Sequence, residues 1–233
     1  MPRGRAPGYD DQREQILARA AKLFARRGYT ATSMNEVAEA CGVSKPSLYH
    51  YFRDKQQLLL EIAAGHIARL EALVEEVGAE THAPEARVRR LISAFLEVYA
   101  GAQAEHRVLT EDVRFLPPAD RRRVLDGERK VVAAFADAIA EARPELRAQE
   151  LDKPLTMLLF GMMNWMFTWL KPRGELSHAD MAPVVADLFF GGLGAVRAPG
   201  MPSLPLSPMH NGDTACLTPP SSSSRSASPP RPR

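Results

Sequence analysis

The chain is expected to fold as an all-α protein, and three features of its sequence lead there. Apolar residues recur at helical spacing from Asp10 to about Gly194. Capping residues open these runs, and Gly or Pro closes them. No segment sustains the strict apolar–polar alternation that a half-buried strand needs. The expected architecture is an N-terminal three-helix domain containing a helix-turn-helix, followed by a larger helical bundle.

The first helix begins at Asp10, where Ile16, Ala20, Leu23 and Phe24 form one apolar face. Asp11 and Glu14 lie near its start and Arg26 and Arg27 near its end, as the helix dipole favours, and Gly28 stops it. Ser33 and Glu36 have capping-box spacing and start a second helix at Met34, which Gly42 ends. Ser44 caps a third helix, with Pro46 in its first turn, ending near Tyr51 or Phe52. Asp54 with Gln57 opens a long fourth helix through Leu58, Leu59, Ile62, His66, Leu70 and Val77. Beyond residues 78–84, one helical run carries Val88, Leu91, Ile92, Phe95, Leu96 and Tyr99. Another starts near His106 and ends before Pro117. The next spans Asp120 to Arg143, and a further one Pro154 to Lys171, closed by Pro172 and Gly174. The last starts at Ser177, with Asp180 as capping partner, and reaches about Gly194.

Four segments follow. Residues 1–9 read as a flexible basic arm, 10–55 as a helix-turn-helix domain and 56–196 as a larger helical domain. Residues 197–233 read as a disordered Pro/Ser-rich tail, holding nine of the chain's 19 prolines. The net charge of +2 names no partner, but residues 1–55 hold ten Lys/Arg against six Asp/Glu, an excess of four that suits nucleic acid. The two cysteines, Cys41 and Cys216, cannot make a metal cluster, and Cys41 reads as a small buried hydrophobe. No secretory h-region is evident, and the longest apolar run, Leu155 to Leu170, is shorter than the ~20 residues of a membrane helix. The expected location is cytoplasmic, with no membrane partner, metal or cofactor.

The strongest chemical signal lies between Met34 and Tyr51. Ala38 is small enough for close helix approach, Gly42 supplies a left-handed turn, and Val37, Val43 and Leu48 fill the wedge between helices. Such a wedge fixes the inter-helix angle so that the second helix can enter a major groove. The third helix is therefore the reading element, with Ser44, Lys45, Ser47, Tyr49 and His50 toward its exposed side.

The run from Gly28 to Met34, then Val37-Ala38, the run from Gly42 to Phe52, and Asp54-Lys55 resemble the TetR family of transcriptional regulators, over about residues 10–60. The resemblance implies a homodimer on a roughly palindromic double-stranded operator, usually a repressor, with DNA affinity reduced by a ligand in the C-terminal domain. It implies that Ser44, Lys45 and Pro46 meet base edges or nearby phosphates, and that Tyr49, His50, Tyr51 and Lys55 clamp the backbone; Ser47 joins this set. The chemistry agrees: hydroxyls and helix N-terminal amides donate to phosphate, Lys45 can reach guanine O6 or N7, and the Pro46 ring can touch a thymine methyl. Arg3 and Arg5 can reach a minor groove. Tyr51, Phe52 and His50 have plain core or solvated readings beside these.

Leu155 to Leu170 is apolar on every side and must be covered all round. In a TetR-like dimer the last two helices form a four-helix interface. Leu155, Leu158, Met166, Val185, Leu188 and Phe189 are the expected interface residues, with Gly161 allowing close approach. The other face meets a core or a pocket, for which Phe95, Tyr99, Met162, Trp165 and Trp169 are the candidate ligand contacts. The stretch from Asn164 to Gly174 resembles regulators that respond to acyl-CoA thioesters. Arg107, Arg114, Arg121, Arg122 and Arg123 are the cations available to CoA phosphates, with solvated surface arginines as the alternative. A xenobiotic or other hydrophobic effector, or DNA binding without any ligand, remain open alternatives. An enzyme is not expected: His106 and Glu111 are five positions apart and share no helical face, and no H-E-x-x-H, phosphate loop or nucleophile motif occurs.

Overall fold

The computed structural model describes residues 8–80, 83–170 and 174–193. Among these the secondary structure is helical throughout. Ten α-helices follow in order: α1 (Tyr9–Arg27), α2 (Met34–Cys41), α3 (Lys45–Tyr51), α4 (Lys55–Ala79), α5 (Pro84–Gly101), α6 (Gln103–Asp112), α7 (Pro118–Ala142), α8 (Pro144–Ala148), α9 (Asp152–Asn164) and α10 (His178–Leu193). A 3-10 turn at Val113–Phe115 follows α6, and a second at Trp165–Thr168 follows α9. No described helix is long and apolar enough to cross a membrane. The basic arm with Arg3 and Arg5, the residues Lys171 to Arg173, and the tail with Cys216 lie outside the described residues.

The caps place the first four helices. Ser33 Oγ accepts from the Glu36 N–H (3.3 Å), while Glu36 returns an oxygen to the Ser33 N–H (2.8 Å). Ser44 Oγ accepts from the Ser47 N–H at 3.2 Å, and Asp54 Oδ1 accepts from the Gln57 N–H at 2.7 Å. The Gln57 side chain closes back on the Arg53 N–H instead of that of Asp54 (2.7 Å). Each such cap contributes ~1 kcal/mol. Gly42 has φ +66°, the left-handed conformation that lets the chain leave α2 and enter α3 within three residues.

The sequence-based boundaries shift in three places. The helix expected near His106 starts at Gln103, and an extra helix, α8, follows Pro144. The helix expected to run on to Lys171 leaves α geometry at Asn164 and tightens into the 3-10 turn. The tightening starts at the residue whose side chain is held by the Tyr99 hydroxyl (3.0 Å).

One core serves the described chain. Ile16, Phe24, Leu48, Phe52 and Leu58 pack the first three helices onto α4, while Phe95, Phe135, Leu159 and Ile139 fill the space among α5, α7 and α9. Burying each such side chain contributes about 1.5–3 kcal/mol. α4 crosses α7 closely at Gly127: a Cβ there would lie 2.9 Å from both Ile67 Cγ1 and Glu71 Oε1. α10 packs chiefly against α5, where Arg89 reaches Asp187 at 2.6 Å.

Candidate nucleic-acid interface

The α2–α3 pair is held by the predicted wedge. Val37, Ala38 and Leu48 are buried and Val43 packs half-buried beside them. That packing leaves one face of α3 in solvent. Ser44, Lys45, Pro46, Tyr49 and His50 are exposed, and Ser47 is half-exposed. Ser44 uses its oxygen lone pair as the cap, which leaves its O–H free to donate. The face thus carries one ammonium, three hydroxyl groups and an imidazole, which can donate to phosphates and base edges, and a rigid apolar ring.

Two residues expected in the phosphate clamp stand elsewhere. Tyr51 is half-buried and stacked on Tyr9 at the start of α1 (4.7 Å between centroids), so its ring is part of the packing between α1 and α3. Lys55 turns inward. Its Nζ donates to the carbonyls of Thr32 (2.7 Å), Tyr29 (2.9 Å) and Thr30 (3.5 Å), and lies 4.4 Å from the Tyr29 ring centroid. Three converging carbonyls and an aromatic face make an ammonium site, so Lys55 holds the α1–α2 loop. Sequence spacing could not reveal this, because the carbonyls come from a loop 23 to 26 positions away.

The same loop meets the second half of the chain. Tyr29 stacks on Phe115 in the first 3-10 turn (5.6 Å, 23° between planes), and Arg13 of α1 pairs with Glu61 of α4. α6 packs along α1. Helix α3 is therefore tied through α1 and its loop to α4, α6 and the turn after α6.

Behind that turn lie two cavities that share Leu109, Thr110 and Glu128 in their walls. The inner one, about 150 Å³, is lined by α4, α5, α6, α7 and α9, with Ile67, Leu70, Val131 and Phe160 apolar and Tyr99, His106 and Asn164 polar. The outer one, about 570 Å³, carries Arg114 and Arg121 with Glu111 and Leu125. Burial pushes the Glu128 carboxyl up, and likewise the Tyr99 hydroxyl. Burial, with Arg69 adding to it, drives His66 down to about 4; burial and the neighbouring His66 and His178 drive His106 down to about 3. Both rings are neutral at physiological pH. His66, His106 and Glu128 were not singled out as ligand contacts in the sequence; a histidine inside an apolar helical face was the available signal for the first.

The ligand contacts expected from sequence are divided by the structure. Tyr99 lines the inner cavity. Phe95 is fully buried one layer deeper, against Phe135 and Phe160, and Met162 is half-buried on the edge of the core. Trp165 and Trp169 are 66% and 51% exposed on the protomer surface and do not line this cavity. The 3-10 turn rotates them outward. Of the candidate cations, Arg114 and Arg121 face the outer cavity, Arg107 pairs with Glu111 at 3.1 Å, and Arg122 and Arg123 are exposed.

The expected interface residues divide too. Leu158 and Leu188 are each 66% exposed, whereas Leu155, Met166, Val185 and Phe189 are buried within the protomer. The buried face of α10 is the one α5 covers. Val184, beside Leu188 on the open face, and Trp165, one helical repeat beyond Leu158, join the exposed set. A Cβ at Gly161 would meet nothing within 4 Å among the described residues beyond its own helix.

Comparison with known proteins matches both halves. A family model described as "Bacterial regulatory proteins, tetR family" matches residues 16–62, and one described as "Tetracyclin repressor-like, C-terminal domain" matches residues 81–193. A solved TetR-family transcriptional regulator from Bordetella parapertussis is 34% identical with a TM-score of 0.77, over 81% of this chain and 99% of that one. AibR, solved in complex with isovaleryl coenzyme A and operator DNA, is 26% identical with a TM-score of 0.67, over 76% of this chain and 97% of its own. The HTH-type transcriptional activator FasR of Mycolicibacterium smegmatis is 33% identical over 110 residues, 47% of this chain and half of FasR's length.

Proposed function

The chain belongs to the TetR family of bacterial transcriptional regulators, and on that premise we propose that it is a homodimeric, cytoplasmic repressor released from its operator by a small hydrophobic effector, an acyl-CoA thioester. The observation that carries the DNA-binding part is the coincidence of the residue 16–62 match with a capped, wedged α2–α3 pair whose outer face presents Lys45, Tyr49 and His50. The operator contacts are Ser44, Lys45, Pro46, Ser47, Tyr49 and His50. The repressor sign follows the description of the second family model; FasR, named an activator, is the relative on the other side.

Two copies dimerise through the open apolar face of α9 and α10, with Leu158, Trp165, Val184 and Leu188 at its centre. Exposed large apolar side chains grouped on two adjacent helices are what a partner surface covers. The thioester reading rests on the paired cavities. A small acyl group fits the inner one, and CoA phosphates meet Arg114 and Arg121 in the outer one, in keeping with the isovaleryl coenzyme A bound by AibR. A second reading, a cationic hydrophobic xenobiotic, is favoured by Glu128, whose carboxyl lies in the walls of both cavities.

Fluorescence anisotropy on DNA from the region upstream of the gene separates these readings. Isovaleryl coenzyme A should raise the operator Kd at least tenfold, and Arg114→Ala with Arg121→Ala should abolish that response. Release by a lipophilic cation, with loss of the response in Glu128→Gln, would support the xenobiotic instead. Specific binding that neither class disturbs would leave a regulator without an effector of these kinds.

A further inference from the structure

Two buried ring nitrogens beyond the α1–α3 unit have no hydrogen-bond partner among the described residues. His66 on α4 and His106 on α6 are 2% and 3% exposed, and they share a single bond, Nε2 of His66 to Nδ1 of His106 at 3.3 Å. His66 Nδ1 and His106 Nε2 are left over. A buried polar atom that has lost water and gained nothing is costly, so its presence calls for an occupant. Near His106, the Tyr99 hydroxyl donates to Asn164 Oδ1 and the Thr110 hydroxyl is within 3.1 Å of the carbonyls of His106 and Arg107, while Glu128 lines the same wall. The His106 ring lies flat on Tyr99, centroids 3.8 Å apart, and is thereby fixed in orientation. His106 lines the inner cavity, whose volume of about 150 Å³ is several times the ~30 Å³ share of one liquid water.

We propose that His106 is the polar anchor of the effector site: the effector sets a neutral hydrogen-bonding group, a carbonyl or a hydroxyl, against His106 Nε2 and its hydrocarbon body against Ile67, Leu70, Val131 and Phe160. This rests on the cavity being the effector site, but on neither the CoA nor the cation reading. A carboxylate is disfavoured there, since the facing imidazole is neutral and Glu128 shares the wall. The shared bond carries the choice of group onward. A neutral imidazole has one N–H. An effector carbonyl requires that proton at His106 Nε2; His106 Nδ1 then accepts from His66 Nε2–H, and His66 Nδ1 becomes an acceptor. An effector hydroxyl that donates selects the opposite arrangement. His66 also lines a cleft between α1 and α4 with Glu14, Glu61, Arg69 and Glu105, so its state is expressed where the DNA-reading half meets α4.

The test uses the full chain labelled with 15N-histidine and three probes of one shape: cyclohexanone, cyclohexanol and methylcyclohexane. Cyclohexanone should give a saturable shift, protonate His106 at Nε2 and His66 at Nε2, and bind at least fivefold more tightly than methylcyclohexane. His106→Phe should erase that preference while still binding the hydrocarbon. His106→Gln, which keeps a donor, should restore part of it and guards against a folding defect in the first variant. Ketone and alcohol both binding no more tightly than the hydrocarbon, a preference for either that survives His106→Phe, or no saturable shift with any probe would overturn the proposal. DNA plays no part in the readout. Ketone binding through His106 in a protein that keeps its operator would refute effector release and leave the anchor standing.

Discussion

Lys45 and Lys55 are alike in the sequence, two lysines in a basic N-terminal segment, and the structure gives them opposite tasks. Lys45 stands in solvent on α3, while Lys55 is caged by three loop carbonyls and the Tyr29 ring. Lys45→Ala should leave the melting temperature within about a degree, weaken operator binding, and reduce the slope of log K against log salt by about 2, about one per protomer. Lys55→Met should instead lower stability by about 2 kcal/mol, because charge-assisted bonds are lost and carbonyls are left facing an apolar chain. Denaturant unfolding and anisotropy on the same two variants separate the roles. The exposed place of Lys45 was legible because the cap at Ser44 fixes where α3 begins. Lys55 was not, because its partners are main-chain atoms that only the folded loop brings together.

The two buried histidines set a second residue-scale expectation. His66 and His106 have pKa values near 4 and 3, below the ordinary 6.5. The unfolded chain therefore takes up protons below pH 6.5 that the folded chain refuses, so their contribution is complete above 6.5 and is lost as pH falls toward 4. For His66 the loss is on the order of 3 kcal/mol. Glu128, whose carboxyl is raised, acts in the opposite sense, so the sign is read from a comparison. Urea unfolding at pH 7.5 and pH 5 should show a smaller acid loss in His106→Phe than in the parent chain.

Element by element, caps and stops were readable because each is written within four residues. Ser33 with Glu36, Ser44, Asp54 with Gln57, and Ser177 with Asp180 all open helices in the structure. What could not be read was which face of an all-round apolar helix turns inward. Val185 and Phe189 were as eligible for an interface as Leu188, until α5 was seen to cover them. The break at Asn164 was hidden for a similar reason: no Gly or Pro marks it, and its partner Tyr99 is 65 positions away. Leu158→Glu with Leu188→Glu should yield a folded monomer in sedimentation velocity, and should cost most of the operator affinity because half-site binding is no longer paired. At Gly127, where a Cβ has no room between Ile67 and Glu71, Gly127→Val should force α7 away from α4 and cost about 1–3 kcal/mol, measured by thermal unfolding.

On the scale of the whole molecule, a small set of contacts joins the α1–α3 unit to the cavities. α4 starts beside the caged Lys55, carries His66 past the α1 cleft and lines the inner cavity with Ile67 and Leu70. The turn after α6 stacks Phe115 on Tyr29, while Val113 and Arg114 line the outer cavity. A ligand in either cavity thus bears on elements that also hold α1 and its loop, the arrangement a release mechanism needs. The sequence was most informative about the α2–α3 pair, where caps and wedge are written locally. It said least about the cavity, whose walls come from five helices.

The most direct measurement is selection of duplex DNA from a random pool by the full-length protein, followed by anisotropy with the selected sequence. The expected result is a roughly palindromic site whose half-sites lie about one helical turn apart, bound in a salt-dependent way and lost in Lys45→Ala with Tyr49→Ala at unchanged melting temperature. Enrichment of no sequence, or a selected site that the double variant binds as tightly as the parent chain, would contradict the assignment of α3 as the reading helix.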